Sequence, residues 1–197
     1  MNLFQCFIKR SFDVVLSTLG LFFLFPLFFL VAFANCVNLR GSCFFYQVRV
    51  GKKAKKFKVI KFKTMRDSDV YTTTITSSLD PRITKFGSIL RKLKIDELPQ
   101  LINVFLGHMS FVGPRPDVPG YADTLKGKDR IILSVRPGIT GPASIKYKNE
   151  EELLAKQDNP QEYNDTVIWP DKVKINIDYI KNYSFINDIK YIVDTIK

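Results

Sequence analysis

The chain contains few of the residues that build disulfide-stapled or zinc-bound proteins. Its 197 residues include three cysteines (Cys6, Cys36 and Cys43) and one histidine, His108. Three cysteines without a Cys-x-x-Cys pair form neither a disulfide framework nor a cysteine metal site, and their odd number favours a reducing compartment. A single histidine cannot build a zinc site. Internal repeats are also lacking, and the length indicates one modest domain with its attachments.

Charge is lacking from Val14 to Leu39. A straight helix over this run would extend about 39 Å, enough to cross a bilayer core. Pro26, near the middle, removes a backbone donor and clashes with the preceding turn. It leaves two arms of about 18–20 Å, each too short to cross about 30 Å of hydrocarbon. We therefore predict that residues 1–40 form a re-entrant helix-break-helix that enters and leaves the membrane on one side.

Basic residues on both sides of the apolar run agree with that topology. They are Lys9 and Arg10 before it, and Arg40, Arg49, Lys52 and Lys53 after it. Only a hairpin keeps both flanks on the positive-inside, cytoplasmic face. A secretory signal peptide is the alternative, because Ala32-Phe33-Ala34 resembles a cleavage site after a basic start. The length of the run and the proline within it argue against this alternative.

Acidic residues are lacking between residues 49 and 66, where nine basic residues occur. Alternation of apolar and basic side chains predicts two strands here, at residues 44–48 and 57–65, joined by a turn at Gly51-Lys52. Over the whole chain, 30 Lys and Arg against 19 Asp and Glu give a net charge of +11. This charge indicates phosphate-rich partners: an anionic membrane face, nucleotides or nucleic acid.

An acid pair, Asp96-Glu97, follows a basic stretch that includes Arg91. Apolar residues after the pair recur at helical spacing and Pro99 is tolerated only in a first turn, so Asp96 is predicted at the N-cap of a helix. A carboxylate in that position stays ionised, because the helix N-terminus favours negative charge. Taken alone, such a pair is an ordinary N-cap with a solvated neighbour.

Four basic residues are candidates for binding an anion. Arg115 lies between two prolines, which fix the backbone so that the guanidinium is presented to a ligand, and a planar guanidinium suits two phosphate oxygens. Arg136 also precedes a proline. Lys61 and Lys63 project from the same face of the second predicted strand. Each of these residues also fits the simpler role of a surface charge on a turn or a strand.

The order of these features resembles a known family, the bacterial sugar transferases, which are small monotopic phosphoglycosyl transferases that act on undecaprenyl phosphate. The matching segments are Lys9 to Asp13, Phe57 to Met65, Arg91 to Leu101, Met109 to Pro116 and Val135 to Gly141. A single such motif is weak, but five in the family's order are specific. The resemblance covers roughly residues 9–190.

The resemblance implies an α/β (α+β) fold. A re-entrant N-terminal membrane helix at residues 1–40 would carry one cytoplasmic catalytic domain at residues 41–197, built from a small β-hairpin and surrounding amphipathic helices. The implied reaction moves a phospho-sugar from a UDP-sugar to polyprenol (undecaprenyl) phosphate and releases UMP. It would take place on the cytoplasmic face of the bacterial inner membrane, as the first membrane step of surface glycan synthesis.

The resemblance also assigns roles to residues. Asp96 is expected to attack phosphorus and form an aspartyl phospho-sugar, and Glu97 to assist the incoming polyprenol phosphate. Mg²⁺, held by Asp96, would neutralise the diphosphate. The expected substrate- and phosphate-binding residues are Arg91, Arg115, Arg136, Lys61, Lys63 and Asp178. The expected partners are the two substrates, membrane lipid and downstream glycosyltransferases, and not nucleic acid.

Some segments depart from the family or stay open. Phe25 stands where many relatives have serine before the proline, which removes a hydroxyl that would satisfy a freed carbonyl. Residues 141–144 read Gly-Pro-Ala-Ser where the family has Gly-Trp-Ala-Gln, and this leaves the donor sugar open. The Thr- and Ser-rich stretch Asp67 to Asp80 predicts a mobile loop. A non-catalytic membrane scaffold or a nucleic-acid binder using the basic strip at residues 49–66 is the alternative function.

Overall fold

The computed structural model describes residues 1–39, 42–66 and 80–197. The predicted mobile loop, up to residue 79, and the basic flank at Arg40 lie outside the described residues. The described part combines one long N-terminal helix, shorter helices and two small sheets. This confirms the predicted mixture of helix and sheet.

A single helix, α1 (Leu3–Leu39), contains the whole apolar run. Pro26 lies inside α1, so the helix break predicted at this residue is wrong. A proline removes one backbone hydrogen bond of a helix, and this loss is small beside the many hydrogen bonds of a 37-residue helix whose two halves both bury side chains. The re-entrant path through a membrane stays a prediction.

One face of α1 packs along both halves of the helix. Its buried residues are Lys9, Asp13, Ser17, Val31 and Asn35. On a regular helix these positions lie within an arc of about 80°. Val31 belongs to a cluster with Phe62 and Leu90. Both halves of α1 are therefore attached to the same domain.

The opposite face of α1 is apolar and exposed. It carries Leu3, Phe4, Phe7, Val15, Leu19, Phe22, Phe23, Phe25, Phe29, Leu30, Phe33 and Val37. An apolar surface of this extent marks contact with a membrane or with another apolar partner. The helix is also long and apolar enough to cross a bilayer. Helix α1 is therefore the element of the described chain that is suited to contact a membrane.

The predicted hairpin is confirmed. Strands β1 (Phe44–Val50) and β2 (Lys56–Phe62) pair antiparallel and are joined through a short 3-10 turn, Lys52–Ala54. Gln47 pairs with Val59, and Phe45 pairs with Lys61. Because paired residues project from the same face and side chains alternate along a strand, Gln47, Arg49 and Lys61 share one face of the hairpin.

A second, parallel strand pair was not anticipated from the sequence. Helix α2 (Lys85–Lys92), a 3-10 turn (Ile95–Glu97) and helix α3 (Gln100–Phe105) lead into β3 (Ser110–Val112), which pairs with β4 (Gly138–Thr140). The Gly138 amide donates to the Pro114 carbonyl at 2.8 Å. A Cβ atom at Gly138 would lie 2.2 Å from the backbone nitrogen of Gly113. Glycine therefore permits the close approach that fixes the backbone just before Arg115.

The C-terminal third is helical. It comprises α4 (Pro142–Lys146), α5 (Glu150–Ala155), α6 (Pro160–Tyr163), α7 (Trp169–Lys181) and α8 (Phe185–Ile196). Ile180 of α7 packs with Val50 and Val112 in the largest core cluster. The buried ammonium of Lys9 lies 2.5 Å from the carboxylate of Asp188 in α8. Apolar packing and a buried ion pair thus join the C-terminal helices to the hairpin and to α1.

Candidate active site

The acid pair lies where the hairpin, the turn before α3 and the loop after β3 meet. Lys61 Nζ is 2.7 Å and Arg115 Nη2 is 2.9 Å from the same oxygen, Oε1 of Glu97. The side chains of Lys61 and Glu97 are 21% and 19% exposed, and that of Arg115 is 49% exposed. Three of the predicted site residues are therefore in direct contact at the mouth of a shallow cleft.

The two cations keep Glu97 ionised. Burial alone would raise the pKa of Glu97, but the charges of Arg115 and Lys61, and the hydrogen bonds from both, hold it well below its ordinary value. In return, the Glu97 carboxylate raises the pKa of Arg115. Burial lowers the pKa of Lys61, and Glu97 opposes that shift. Glu97 is thus a fixed negative charge that holds two cations in place.

Asp96 has a different environment from its neighbour. Burial first, and then the charge of Glu97, raise the pKa of Asp96 from 3.8 to about 6, although Lys61 and Arg91 oppose the rise. A backbone hydrogen bond lowers its pKa slightly, and among the described residues no side chain forms a hydrogen bond or an ion pair with its carboxylate. Asp96 is thus a partly buried acid whose oxygens remain available to a ligand.

The predicted helix N-cap at Asp96 is wrong. Asp96 lies inside the 3-10 turn Ile95–Glu97, and Pro99 is the N-cap residue of α3. Lys94 adopts a left-handed backbone conformation with a φ of 54°. This reversal after α2 starts the 3-10 turn, so α3 begins beyond the acid pair. Asp96 therefore lacks the N-cap position that was expected to favour its ionisation. Burial instead opposes the ionisation of its carboxyl group.

Two charged residues near the acid pair were not assigned to the site from the sequence. Arg49 was predicted only as a basic flank of the apolar run and as part of the basic strip, yet it lines the same cleft as Lys61 and Arg115. Asp117 follows the Pro-Arg-Pro segment directly and is half-buried. Burial raises the pKa of Asp117 to about 7, although the charges of Lys172, Arg49 and Arg115 lower it. Asp117 stands two residues after Arg115 in the sequence. This proximity was the signal that could have identified it as a candidate site residue.

Two further candidates lie on the side of the acid pair. Arg91, at the end of α2, lowers the pKa of Asp96 through its charge. Lys63 lies just beyond β2, where its amide donates to the Cys43 carbonyl at 2.9 Å. By strand alternation Lys63 projects from the same face as Lys61.

The remaining two candidates are not brought to the acid pair. Arg136 Nε donates to the Gly107 carbonyl at 2.8 Å, at the end of α3, where helix carbonyls lack partners within the helix. Asp178 is exposed on α7 and accepts a hydrogen bond of 2.7 Å from Asn182 Nδ2. In this structure Arg136 stabilises the end of α3, and Asp178 forms a hydrogen bond on the surface with Asn182.

The donor set for a metal is small. Among the residues that the structure describes, no group of three or more His, Cys, Asp or Glu side chains could hold a metal ion. Mg²⁺, however, is commonly bound by one or two carboxylates together with substrate phosphates. The Asp96 carboxylate, which has no side-chain partner among the described residues, fits that mode. The Glu97 carboxylate, held by Lys61 and Arg115, fits it less well.

Comparisons with known proteins agree on one family. The family model described as bacterial sugar transferase matches residues 4–197. The exopolysaccharide production protein ExoY of Sinorhizobium fredii is 34% identical, over 95% of this chain and 83% of its own length. The UDP-glucose:undecaprenyl-phosphate glucose-1-phosphate transferase of Escherichia coli is 36% identical, over 96% of this chain and 39% of its own length. The undecaprenyl-phosphate glucose phosphotransferase of Komagataeibacter xylinus is 39% identical, over 96% and 35%. The chain thus spans most of the first relative but little more than a third of the other two.

Proposed function

The chain belongs to the bacterial sugar transferase family, and we propose that it transfers a phospho-sugar from a UDP-sugar to undecaprenyl phosphate, releasing UMP. Family membership makes it an enzyme of the sugar-phosphate transferase class. The relatives' names give UDP-glucose and undecaprenyl phosphate as substrates of the Escherichia coli protein. For this chain the product would be a polyprenol diphosphate sugar, the starting unit of a surface glycan.

The observation that carries the catalytic proposal is the difference between the two acids. Glu97 is held by Lys61 at 2.7 Å and by Arg115 at 2.9 Å. No described side chain forms a hydrogen bond or an ion pair with the neighbouring Asp96 carboxylate. A nucleophile needs a free lone pair, whereas a carboxylate that shares its oxygen with two cations is a poor nucleophile. The contacts therefore support Asp96, and not Glu97, as the attacking group.

The proposed reaction has two displacements at the same phosphorus. An oxygen of Asp96 bonds to the phosphorus next to the sugar, the bond to the bridging oxygen breaks, and UMP leaves with that electron pair. An oxygen of polyprenol phosphate then attacks the same phosphorus and releases the Asp96 carboxylate. Lys61 and Arg115, held by Glu97, stabilise charge on the transferred phosphoryl group. Glu97 is also proposed to assist the incoming polyprenol phosphate.

A magnesium ion is part of the proposal. Asp96, together with oxygens of the donor diphosphate, would hold it, and the ion would supply charge neutralisation beside two carboxylates. The residues of the chain supply the remaining positive charge. Arg91 is near enough to lower the pKa of Asp96, and Arg115 is half exposed at the cleft. Both are proposed to bind phosphate oxygens.

The proposed membrane topology is re-entrant, with both ends of α1 in the cytoplasm. Its support is the attachment of both halves of α1 to one domain, through Lys9 to Asp188 and through Asn35 to Cys43. If α1 crossed the bilayer, its two halves would lie on opposite sides of the membrane centre. They could not then both stay attached to a domain that lies on one side. One leaflet is then sufficient for its exposed apolar face.

Mass spectrometry of the reaction with donor alone tests the function. With a UDP-sugar and Mg²⁺, the wild type should release UMP in a burst and gain the mass of one phospho-sugar on the peptide containing Asp96. Asp96→Asn should show neither. Glu97→Gln is the matched control, because it removes one charge from the neighbouring position and should still be labelled, while transferring poorly. An adduct on Asp96→Asn would show that the nucleophile lies elsewhere, and absence of UMP release across a panel of UDP-sugars would favour a non-catalytic scaffold.

A further inference from the structure

Arg49 is held in a fixed orientation on the cleft face of the hairpin. Its Nε and Nη2 donate to Gln47 Oε1 at 3.1 and 2.6 Å, and its Nη1 donates to the Pro116 carbonyl at 3.1 Å. A guanidinium has five N–H donors, so two remain after these three bonds. Gln47 and Pro116 therefore orient the group without using all of it.

Arg49 lies in a cleft that is lined by three cations. Arg49, Lys61 and Arg115 line it together with Val59, Gln100 and Pro116. Burial, and then the nearby charge of Arg115, lower the pKa of Arg49. Glu97 is already shared by Lys61 and Arg115, and no described carboxylate lies within ion-pair distance of Arg49. Asp117 and Glu97 act on Arg49 only at longer range. Arg49 is therefore the one of these three cations that has no direct carboxylate partner among the described residues, and an anionic ligand would supply one.

The position of Arg49 differs from that of the residues already proposed to act on the transferred phosphoryl group. Lys61 and Arg115 contact Glu97, next to Asp96. Arg49 contacts Pro116, on the far side of Arg115 along the loop. Each reacting pair contains more than one phosphate: the donor has two, and the acceptor brings another. A second guanidinium beside the first suits a phosphate adjacent to the attacked one.

We propose that Arg49, with Arg115, forms a second phosphate-binding subsite, which holds a phosphate other than the one that Asp96 attacks. A role of this subsite in turnover depends on the proposed function. Its ligand chemistry is a phosphate monoester or diester, and two substrates supply one: the UMP half of the donor and the polyprenol phosphate acceptor. Gln47 is then a positioning residue for Arg49.

The test measures each substrate separately with the purified full-length protein. UMP release with donor alone gives the half-saturating donor concentration, and transfer at saturating donor gives the half-saturating polyprenol phosphate concentration. Arg49→Gln should raise one of these about 10- to 100-fold, because a lost hydrogen bond to a charged group changes affinity by that factor. The maximal rate should change much less. A rise for the donor assigns the subsite to the UMP phosphate, and a rise for the acceptor assigns it to the lipid.

Lys58→Gln is the matched control. Lys58 is exposed on the same hairpin and pairs with Val48, on the face opposite to Arg49. It removes one positive charge without touching the cleft and should leave both concentrations unchanged. If Arg49→Gln lacks a cooperative thermal transition, Arg49→Lys replaces it and should raise one of the two concentrations at least about threefold, since a lysine cannot reproduce a fork of donors.

Unchanged half-saturation for both substrates, in a variant that folds, would overturn the subsite while leaving the proposed function intact. If the wild type releases no UMP, the proposed function fails, and calorimetric titration with UMP and with a short-chain polyprenyl phosphate decides the subsite alone. Weaker binding of either ligand to Arg49→Gln than to Lys58→Gln would support it, and equal binding of both would overturn it.

Discussion

The pH dependence of the first displacement tests the environment of Asp96. Only the ionised carboxylate can attack phosphorus, so the burst of UMP should follow the ionised fraction of Asp96. Its pKa is raised to about 6, chiefly by burial and then by the charge of Glu97. Because the pKa is raised, the burst rate should be full above about pH 7 and should fall as the pH decreases through 6.

The size of the effect follows from the shift. With a pKa of about 6, roughly nine-tenths of Asp96 is ionised at pH 7 and roughly one-tenth at pH 5. With the ordinary value of 3.8, more than about nine-tenths would still be ionised at pH 5. The burst rate should therefore fall about tenfold between pH 7 and pH 5, where an unperturbed aspartate would produce almost no change.

Rapid-quench measurement of UMP release, with donor alone, gives this rate directly. Arg91→Gln provides the diagnostic variant, because Arg91 lowers the pKa of Asp96. Its removal should move the midpoint to higher pH. Near-ultraviolet circular dichroism at pH 5 controls for unfolding. A rate that stays constant from pH 7 to pH 5 in folded protein, or a midpoint that moves to lower pH in Arg91→Gln, would refute this account of the site.

Three further predictions concern the same acid, the cation and the helix. The folded state loses stability as the pH rises from about 4 through 6, because the pKa of Asp96 is higher in the folded state than in the unfolded state. Asp96→Asn should therefore raise the free energy of unfolding at pH 7 by up to about 3 kcal/mol while abolishing labelling. An unchanged denaturant midpoint would contradict the burial of this carboxylate. EDTA should stop UMP release and Mg²⁺ should restore it, whereas full activity in excess EDTA would remove the metal from the proposal. Cysteines introduced at Asn2 and at Lys52 should both be protected from an impermeant reagent in intact cells, and labelling of Asn2→Cys alone would show that α1 spans the bilayer, a pattern that Pro26→Leu should favour.

The sequence predicted those parts of the fold that depend on local pattern. Alternation located the hairpin, and the uncharged run located α1, because both signals lie in consecutive residues. The pairing of β3 with β4 joins short segments that are 28 residues apart, and such short strands leave no periodic signal. The predicted helix break at Pro26 was wrong for a related reason. Val31 and Asn35, beyond the proline, are buried against other parts of the chain, and the local sequence does not show such contacts.

The same difference between local signals and distant contacts applies to the candidate site. Asp96, Glu97, Lys61 and Arg115 could be proposed from the sequence because motif residues stand beside them in the chain, and the structure brings the last three into contact. Their roles in the reaction stay predictions. The raised pKa of Asp96 could not be predicted, because it depends on burial by distant elements and on which cations its neighbour Glu97 holds. The contact of Arg136 with the Gly107 carbonyl could not be read from the sequence, because an arginine before a proline looks the same whether it binds a phosphate or a backbone carbonyl; its role in phosphate binding stays a prediction.

The contacts of α1 explain how a membrane helix can position the chemistry. Arg10 donates to the carbonyls of Val104 and Phe105 at 2.7 and 2.8 Å, at the end of the helix that follows the acid pair. Asp13 accepts from the Ser110 hydroxyl at 3.0 Å, and Ser110 begins the strand that leads to Arg115. One turn of α1 therefore holds both segments that carry the cleft. The opposite face of α1 is apolar. Under the proposed function and topology, α1 would therefore set the height of the cleft above the lipid, which suits a reaction between one substrate in water and one in the membrane.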